Sequence, residues 1–207
     1  MVGERPRFLD SAFVEPSSIA AVIAGYLIGS IDFGVIVPRM RGVDIYTHGS
    51  GNPGTTNVLR SMGRKAAAAV MIGDMAKGCA AAALGDLIGT EAIGFAAGFA
   101  AALGHCFPIW HRFRGGKGVA TAGGMMLWLE PFLGAALLGV WAVLAFVAKR
   151  ASLASLVVAV ALVPGVIGFG HRGWSVAWSA AVTVLVVVRH HENIRRLLTG
   201  AERRIEG

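Results

Sequence analysis

Three short polar segments carry residue types suited to holding an anion. The first is His48-Gly49-Ser50-Gly51-Asn52-Pro53-Gly54-Thr55-Thr56-Asn57-Val58-Leu59-Arg60. Its glycines free backbone N–H groups, and its hydroxyls, amides and arginine add further donors. Asn52-Pro53 predicts a helix start, with Asn52 as N-cap and Pro53 at the first helical position. A short helix from Pro53 to about Met62 would set Thr56 and Asn57 on a face shared with Arg60. Ser50 and Gly51 would then stand just ahead of a helix N-terminus, where backbone donors and the helix dipole favour negative charge. A solvated turn followed by a surface helix has the same local signature, so this segment does not decide the matter alone.

The second segment is Arg112-Phe113-Arg114-Gly115-Gly116-Lys117-Gly118-Val119-Ala120-Thr121. Glycines ahead of a helix, with a lysine among them, can cradle a phosphate. The segment is not a P-loop, because His111 and Gly118 stand where that pattern needs a glycine and a hydroxyl residue. A basic loop that serves only membrane topology is the competing reading. The third segment runs from Arg189-His190-His191-Glu192-Asn193 through Arg195, Arg196, Gly200 and Glu202. His190 and Asn193 share a helical face. Arg195, Arg196, Arg203 and Arg204 read as a juxtamembrane tail drawn to anionic headgroups. No group of His, Cys, Asp or Glu has metal-ligand spacing, so neither metal nor cofactor is expected.

The elements that must position these segments are apolar. Of the 207 residues 55% are hydrophobic and 15% charged, against roughly 25% charged in soluble domains. Apolar runs fall at residues 17–38, 66–85, 91–110, 118–130, 131–148, 151–169 and 174–188. The first is too long for a signal-peptide core, although Glu4, Arg5, Arg7, Asp10 and Glu15 precede it. The fourth is short, and it either forms a half-helix or merges with the fifth across the break expected at Glu130-Pro131. Cys79 and Cys106 both lie in apolar runs and read as core thiols.

Basic and non-basic connections alternate. Arg39, Arg41, Arg60, Arg64 and Lys65 are followed by Asp86 and Glu91, then by Arg112, Arg114 and Lys117, then by Glu130. Lys149 and Arg150, a single Arg172, and the arginine-rich tail complete the series. The positive-inside rule then places the N-terminus outside and the C-terminus in the cytoplasm. The expected fold is an all-α integral membrane protein, a single domain over 1–207 with about seven transmembrane helices and short amphipathic cytoplasmic helices. All three polar segments then meet on the cytoplasmic side. The formal charge of +7 reflects loop arginines and lysines, and the apolar runs exclude a soluble nucleic-acid binder. Ionisable residues within the runs are costly there. Asp74 and Lys77 have the spacing of an ion pair, and Asp32 has no evident partner. His105 and His111 bracket Pro108; either could support the glycine loop, and a packed interfacial histidine is the competing reading.

Taken together, these segments resemble the bacterial acyl-phosphate:glycerol-3-phosphate acyltransferases, the PlsY type. The resemblance rests on Gly29-Ser30, His48 to Arg60, Asp74 to Gly78, Gly104-His105 through Thr121, and Arg189 to Glu202, and so spans nearly the whole chain. It implies a multi-pass enzyme of the bacterial inner membrane whose active site faces the cytoplasm. Its substrates would be acyl phosphate and glycerol 3-phosphate, its products lysophosphatidate and phosphate, and membrane lipid its surroundings. Carried over by position, it implicates Ser50, Gly51, Asn52, Thr56, Asn57 and Arg60 from the first segment, and Gly115, Gly116, Lys117 and Gly118 from the second. From the third it implicates His190 and Asn193, with Glu202 structural, and it adds Ser155 on the sixth span. Ser50, Arg60, Lys117, His190 and Asn193 would carry the chemistry and the others would bind substrate. Three positions depart from the family pattern: Asp32 where proline is common, Thr55 where alanine is common, and Cys106 where asparagine is frequent. A small transporter or channel for a phosphorylated anion is the alternative that polar, broken backbone at membrane depth also suits.

Overall fold

The computed structural model describes residues 15–205, and every regular element in that range is helical. The charged stretch containing Glu4, Arg5, Arg7 and Asp10 lies outside the described residues. The helices are α1 (Pro16–Gly29), α2 (Phe33–Arg39), α3 (Thr55–Met62), α4 (Arg64–Ile88), α5 (Glu91–Cys106), α6 (Val119–Leu129), α7 (Pro131–Ala148), α8 (Ala151–Gly168), α9 (Trp174–Arg189) and α10 (His191–Leu198).

All seven apolar runs form helix, with one break the apolar pattern does not show. The first run splits at Ser30-Ile31-Asp32. Ser30 closes α1 by donating its hydroxyl to the Tyr26 carbonyl at 2.9 Å. Asp32 opens α2, its carbonyl accepting from the N–H groups of Val35 and Ile36. The split leaves the Ile31 carbonyl to be met by the Lys77 ammonium at 2.8 Å. The Asp32 side chain is fully buried at this break, with neither oxygen hydrogen-bonded among the described residues.

Five helical stretches, counting α1–α2 together, are long and apolar enough to cross a membrane; α6 and α9 are shorter. The 11 residues of α6 span roughly 17 Å, well short of a hydrocarbon core of about 30 Å. α6 does not merge with α7, because Glu130 turns the chain and Pro131 starts a new helix. α3 also begins later than Asn52-Pro53 predicts: Gly54 is its N-cap and Thr55 its first residue. Pro53 is drawn into an extended, buried position under α2, where a Cβ on Gly34 would fall 1.7 Å from its carbonyl oxygen.

α5 is the central helix, packed on α1, α4, α6 and α9, and 72% of its apolar window is buried against 17% for α7. Lipid tails are as apolar as side chains, so close backbone approach between helices must supply the packing energy. Small residues make that approach possible. A Cβ on Gly78 of α4 would lie 1.9 Å from the Thr121 carbonyl of α6, and one on Gly124 of α6 would lie 1.9 Å from the Met75 carbonyl of α4. At the end of the bundle away from the three polar segments, His171 bridges Glu91 at 2.8 Å and Glu130 at 3.2 Å, tying three connections together.

Gly124→Val should therefore wedge α4 and α6 apart and lower stability by about 1–3 kcal/mol or more. Gly123→Ala, where an added Cβ meets nothing within 4 Å, should leave it unchanged. Thermal unfolding of the two variants in the same detergent checks the contrast.

Candidate active site

Three walls converge at the end where the basic connections lie. The first is the loop of residues 48–54 leading into α3. Asn57, buried on α3, shapes it: its Oδ1 accepts from the Ser50 N–H at 2.8 Å and its Nδ2 donates to the His48 carbonyl at 2.9 Å. Gly49 is required beneath that contact, since it has φ +59° and a Cβ there would lie 2.2 Å from Asn57 Oδ1. Asn57 thus acts on the loop, while Ser50 is exposed at the cavity mouth. Arg60, one helical turn further on, donates Nε to the Arg204 carbonyl at 3.3 Å. Its Nη2 donates to the carbonyls of Arg203 and Arg204 at 3.2 and 3.1 Å.

The second wall is the loop before α6. The Gly116 N–H donates to the His105 carbonyl at 3.0 Å. Arg189, the last residue of α9, grips the loop from outside, donating Nε to the Gly116 carbonyl at 3.1 Å and Nη2 to the Gly115 carbonyl at 2.9 Å. Its guanidinium also lies 5.0 Å over the Phe107 ring. Gly118, at φ +82°, takes the left-handed turn that starts α6. Lys117 then points inward and its Nζ donates to Asn193 Oδ1. Burial, then the nearby Arg196 charge, bring the Lys117 ammonium down to about 8.

The third wall is the α9–α10 junction and the tail behind it. His190 Nδ1 is 2.8 Å from the Val186 carbonyl. A carbonyl only accepts, so Nδ1 carries the proton and Nε2 keeps its lone pair. Burial and the Lys117 charge hold His190 down at about 4, so the ring is neutral at pH 7. Glu202 is the anchor of this wall. Its Oε1 accepts from Ser152 Oγ and Asn193 Nδ2, each at 2.7 Å, and its Oε2 accepts from Arg196 Nε at 2.9 Å. Burial pushes the carboxyl up, but these donors outweigh burial and hold it below its ordinary value.

The walls enclose one cavity of about 210 Å³. Ser50, Asn52, Thr56, Asn57 and Arg60 line it from the first wall, Lys117 and Gly118 from the second, and His190 and Asn193 from the third. Ser155 lines it from α8, with its hydroxyl donating to the Ala151 carbonyl and accepting from Trp141 Nε1. Three expected residues lie behind the wall. A Cβ on Gly51 would be 2.9 Å from the Tyr46 carbonyl, one on Gly115 would be 2.1 Å from the His105 carbonyl, and one on Gly116 would be 2.1 Å from His105 Nε2. These glycines allow close backbone packing rather than facing the cavity. Away from the polar mouth the cavity is lined by Met71, Met75, Met126, Leu137, Trp141 and Leu162. A polar, cationic mouth continuous with an apolar tail fits a ligand with an anionic head and a hydrocarbon chain.

Sequence reasoning read Arg196 and Arg203 as part of a tail drawn to anionic headgroups. The structure adds that Arg196 pairs with Glu202, and that Arg203 lines the cavity and offers its carbonyl to Arg60. Arg189 was missed as a support of the glycine loop, and His105, for which the sequence had left that role open beside a packed interfacial one, takes it up.

A family model described as glycerol-3-phosphate acyltransferase matches residues 19–200. The chain belongs to the glycerol-3-phosphate acyltransferase family. It is 47% identical over 191 residues to the glycerol-3-phosphate acyltransferase of Rhizobium meliloti (strain 1021), covering 92% of this chain and 93% of that one. It is 43% identical over 200 residues to the one from Cupriavidus necator, covering 91% and 96%. Its fold matches the crystal structure of PlsY, an integral membrane glycerol 3-phosphate acyltransferase. The glycerol 3-phosphate form matches with TM-score 0.88 and 34% identity over 92% of this chain and 96% of that one. The lysophosphatidic acid form matches with TM-score 0.84 and 34% identity, over 91% and 95%. The chain is accordingly a multi-pass membrane acyltransferase, and family membership sets the transporter reading aside.

Glu202→Gln should loosen Asn193 and Arg196 together. Steady-state assays should show kcat/KM lowered roughly ten- to hundredfold, the scale of losing hydrogen bonds to a charged group.

Proposed function

We propose that this enzyme transfers a fatty acyl group from acyl phosphate to glycerol 3-phosphate, forming lysophosphatidate and releasing phosphate. The observation that carries the proposal is the single cavity in which Arg60 and Lys117 flank a polar mouth that runs on into an apolar tail. Both substrates bear a phosphate, and only the donor needs the apolar part.

Arg60 and Lys117 clamp the phosphates and neutralise charge as it develops on the leaving group. Ser50 and the loop it belongs to orient the headgroups, and Gly51, Gly115 and Gly116 serve by letting the loops pack. Ser155 and Asn193 complete the polar lining. The glycerol hydroxyl attacks the acyl carbonyl, a new ester C–O bond forms, and the bond from the acyl carbon to the phosphate oxygen breaks. The hydroxyl proton passes to the departing phosphate. His190, at about 4, is a weak base, so its role is to accept a hydrogen bond at Nε2 and aim the hydroxyl. No covalent acyl-Ser50 species is formed.

The membrane arrangement follows the same logic. The basic connections gather at the cavity end, because Arg189 holds the loop before α6, the Tyr46 hydroxyl donates to the Arg114 carbonyl, and the Ile205 N–H donates to the Lys149 carbonyl. That concentration supports a cytoplasmic active site in the bacterial inner membrane, an external N-terminus and seven crossings, α6 and α9 being the short ones.

Purified protein given acyl phosphate and labelled glycerol 3-phosphate should form labelled lysophosphatidate, and should not do so with acyl-CoA or acyl-carrier protein. Absence of product from acyl phosphate under every condition would sink the proposal. Ser50→Ala, Arg60→Ala and Lys117→Ala should each lose roughly a hundredfold or more in turnover while melting normally. His190→Gln should lose about tenfold, against the roughly 10²–10⁴-fold expected if it were the general base.

Lys117 must be charged to act, so kcat/KM should fall as pH rises through about 8. In Lys117→Arg, whose guanidinium stays charged, that limb should disappear from the pH–rate profile.

A further inference from the structure

Beneath the glycine loop lies a buried polar node to which the roles above give no task. Lys77 Nζ on α4 is 2.7 Å from Asp74 Oδ1, 2.8 Å from the Ile31 carbonyl and 2.9 Å from His105 Nδ1 on α5. Lys77, Asp74 and His105 are 4%, 1% and 3% exposed. An ammonium only donates, so the Ile31 carbonyl and His105 Nδ1 must both accept from it, with Asp74 as its ion-pair partner. His105 Nδ1 therefore turns its lone pair to Lys77, and the proton of the neutral ring sits on Nε2. Asp32 and Asp74 both act electrostatically on this ring. The one ring form lacking an Nε2–H would point an Nδ1–H at an ammonium.

That Nε2–H is placed for a ligand. It lies under Gly116, where a Cβ would be only 2.1 Å from it, next to Lys117 in the chain. The ring reaches the cavity alongside Lys117 and Gly118. Among the described residues no acceptor takes the Nε2 proton; the ring's polar contacts there all fall on Nδ1.

We propose that His105 Nε2–H is a further substrate-binding donor, directed at a phosphate oxygen held beside Lys117 and Gly118, and that Lys77 with Asp74 positions it by fixing the ring's tautomer. The proposal rests on the acyl-phosphate reading of the cavity. The phosphate belongs either to the acyl donor or to glycerol 3-phosphate, and the two Michaelis constants tell them apart.

His105→Gln carries an amide N–H to about the Nε2 position, whereas His105→Met fills the space without a donor. His105→Gln should keep both KM values within about threefold of wild type. His105→Met should raise one of them roughly ten- to hundredfold with an unchanged melting temperature, and the substrate affected owns the phosphate. Wild-type KM values for both substrates in His105→Met would overturn the proposal.

¹⁵N NMR of histidine-labelled wild-type protein in nanodiscs needs no variant. The His105 Nε2 resonance should be protonated and should shift on saturation with glycerol 3-phosphate or inorganic phosphate. An Nδ1–H tautomer, or no shift with either, would overturn the proposal even if the variants fail to fold. Removing the pair together, as Asp74→Leu with Lys77→Met, should populate the Nδ1–H tautomer; an unchanged tautomer removes Lys77 from the scheme. A wild-type protein that binds phosphate at His105 yet forms no lysophosphatidate would instead indict the acyltransfer reading, so the two failures stay distinct.

Discussion

Irregular backbone close to lipid must have its polar groups answered from within the protein, because the hydrocarbon offers no water to do it. This chain has two glycine-rich loops at one end of its apolar helices and a break in the first, and much of the remaining architecture serves to satisfy them. Arg189 takes two loop carbonyls, Asn57 takes a loop N–H and a loop carbonyl, and Lys77 takes the carbonyl freed by the break between α1 and α2. Each cationic or amide side chain that does this comes from a helix, so the loops inherit the rigidity of the bundle. That is how flexible glycine sequence becomes a site of fixed shape.

The same economy governs charge. The mouth of the cavity gathers Arg60, Lys117, Arg196 and Arg203, and few acids stand against them. Burial, then repulsion from Arg196, brings Lys117 near the upper edge of physiological pH, and the Lys117 charge in turn helps keep His190 neutral. Glu202 is the counterweight. Tied to Ser152, Asn193 and Arg196, it stays ionised and holds the tail against α8 and α10. An anionic substrate entering this mouth would relieve the excess positive charge, and the field that raises its affinity is the same one that would stabilise a departing phosphate.

Much of this was legible in residue order. Apolar run length and the alternation of basic connections led to a multi-pass helical protein with its polar segments on one side. The spacing of Asp74 and Lys77 led to their ion pair, and Glu130-Pro131 to the break before α7. Other features were hidden for identifiable reasons. The break at Ser30-Ile31-Asp32 leaves hydropathy unchanged, since it is stabilised by Lys77 from 46 positions away. The start of α3 moved past Asn52-Pro53 because Gly34 of another helix occupies the space beside Pro53. That Gly115 and Gly116 must be glycine follows from the His105 main chain and ring packed against them, which leave no room for a Cβ and which residue order does not show.

By itself the sequence determined that the chain lives in a membrane, which residues could bind anions, and that they share a side. These follow from composition and local spacing, which need no knowledge of neighbours. Only the tertiary structure decided which groups face the cavity and in what protonation form. Arg196 became part of the third wall because the tail folds back to α8 and α10, and His105 acquired a fixed ring orientation because α4 sets an ammonium against it. Hydrogen-bond direction and charge state depend on partners remote in the chain, brought close by packing, and residue order alone does not encode such distances locally.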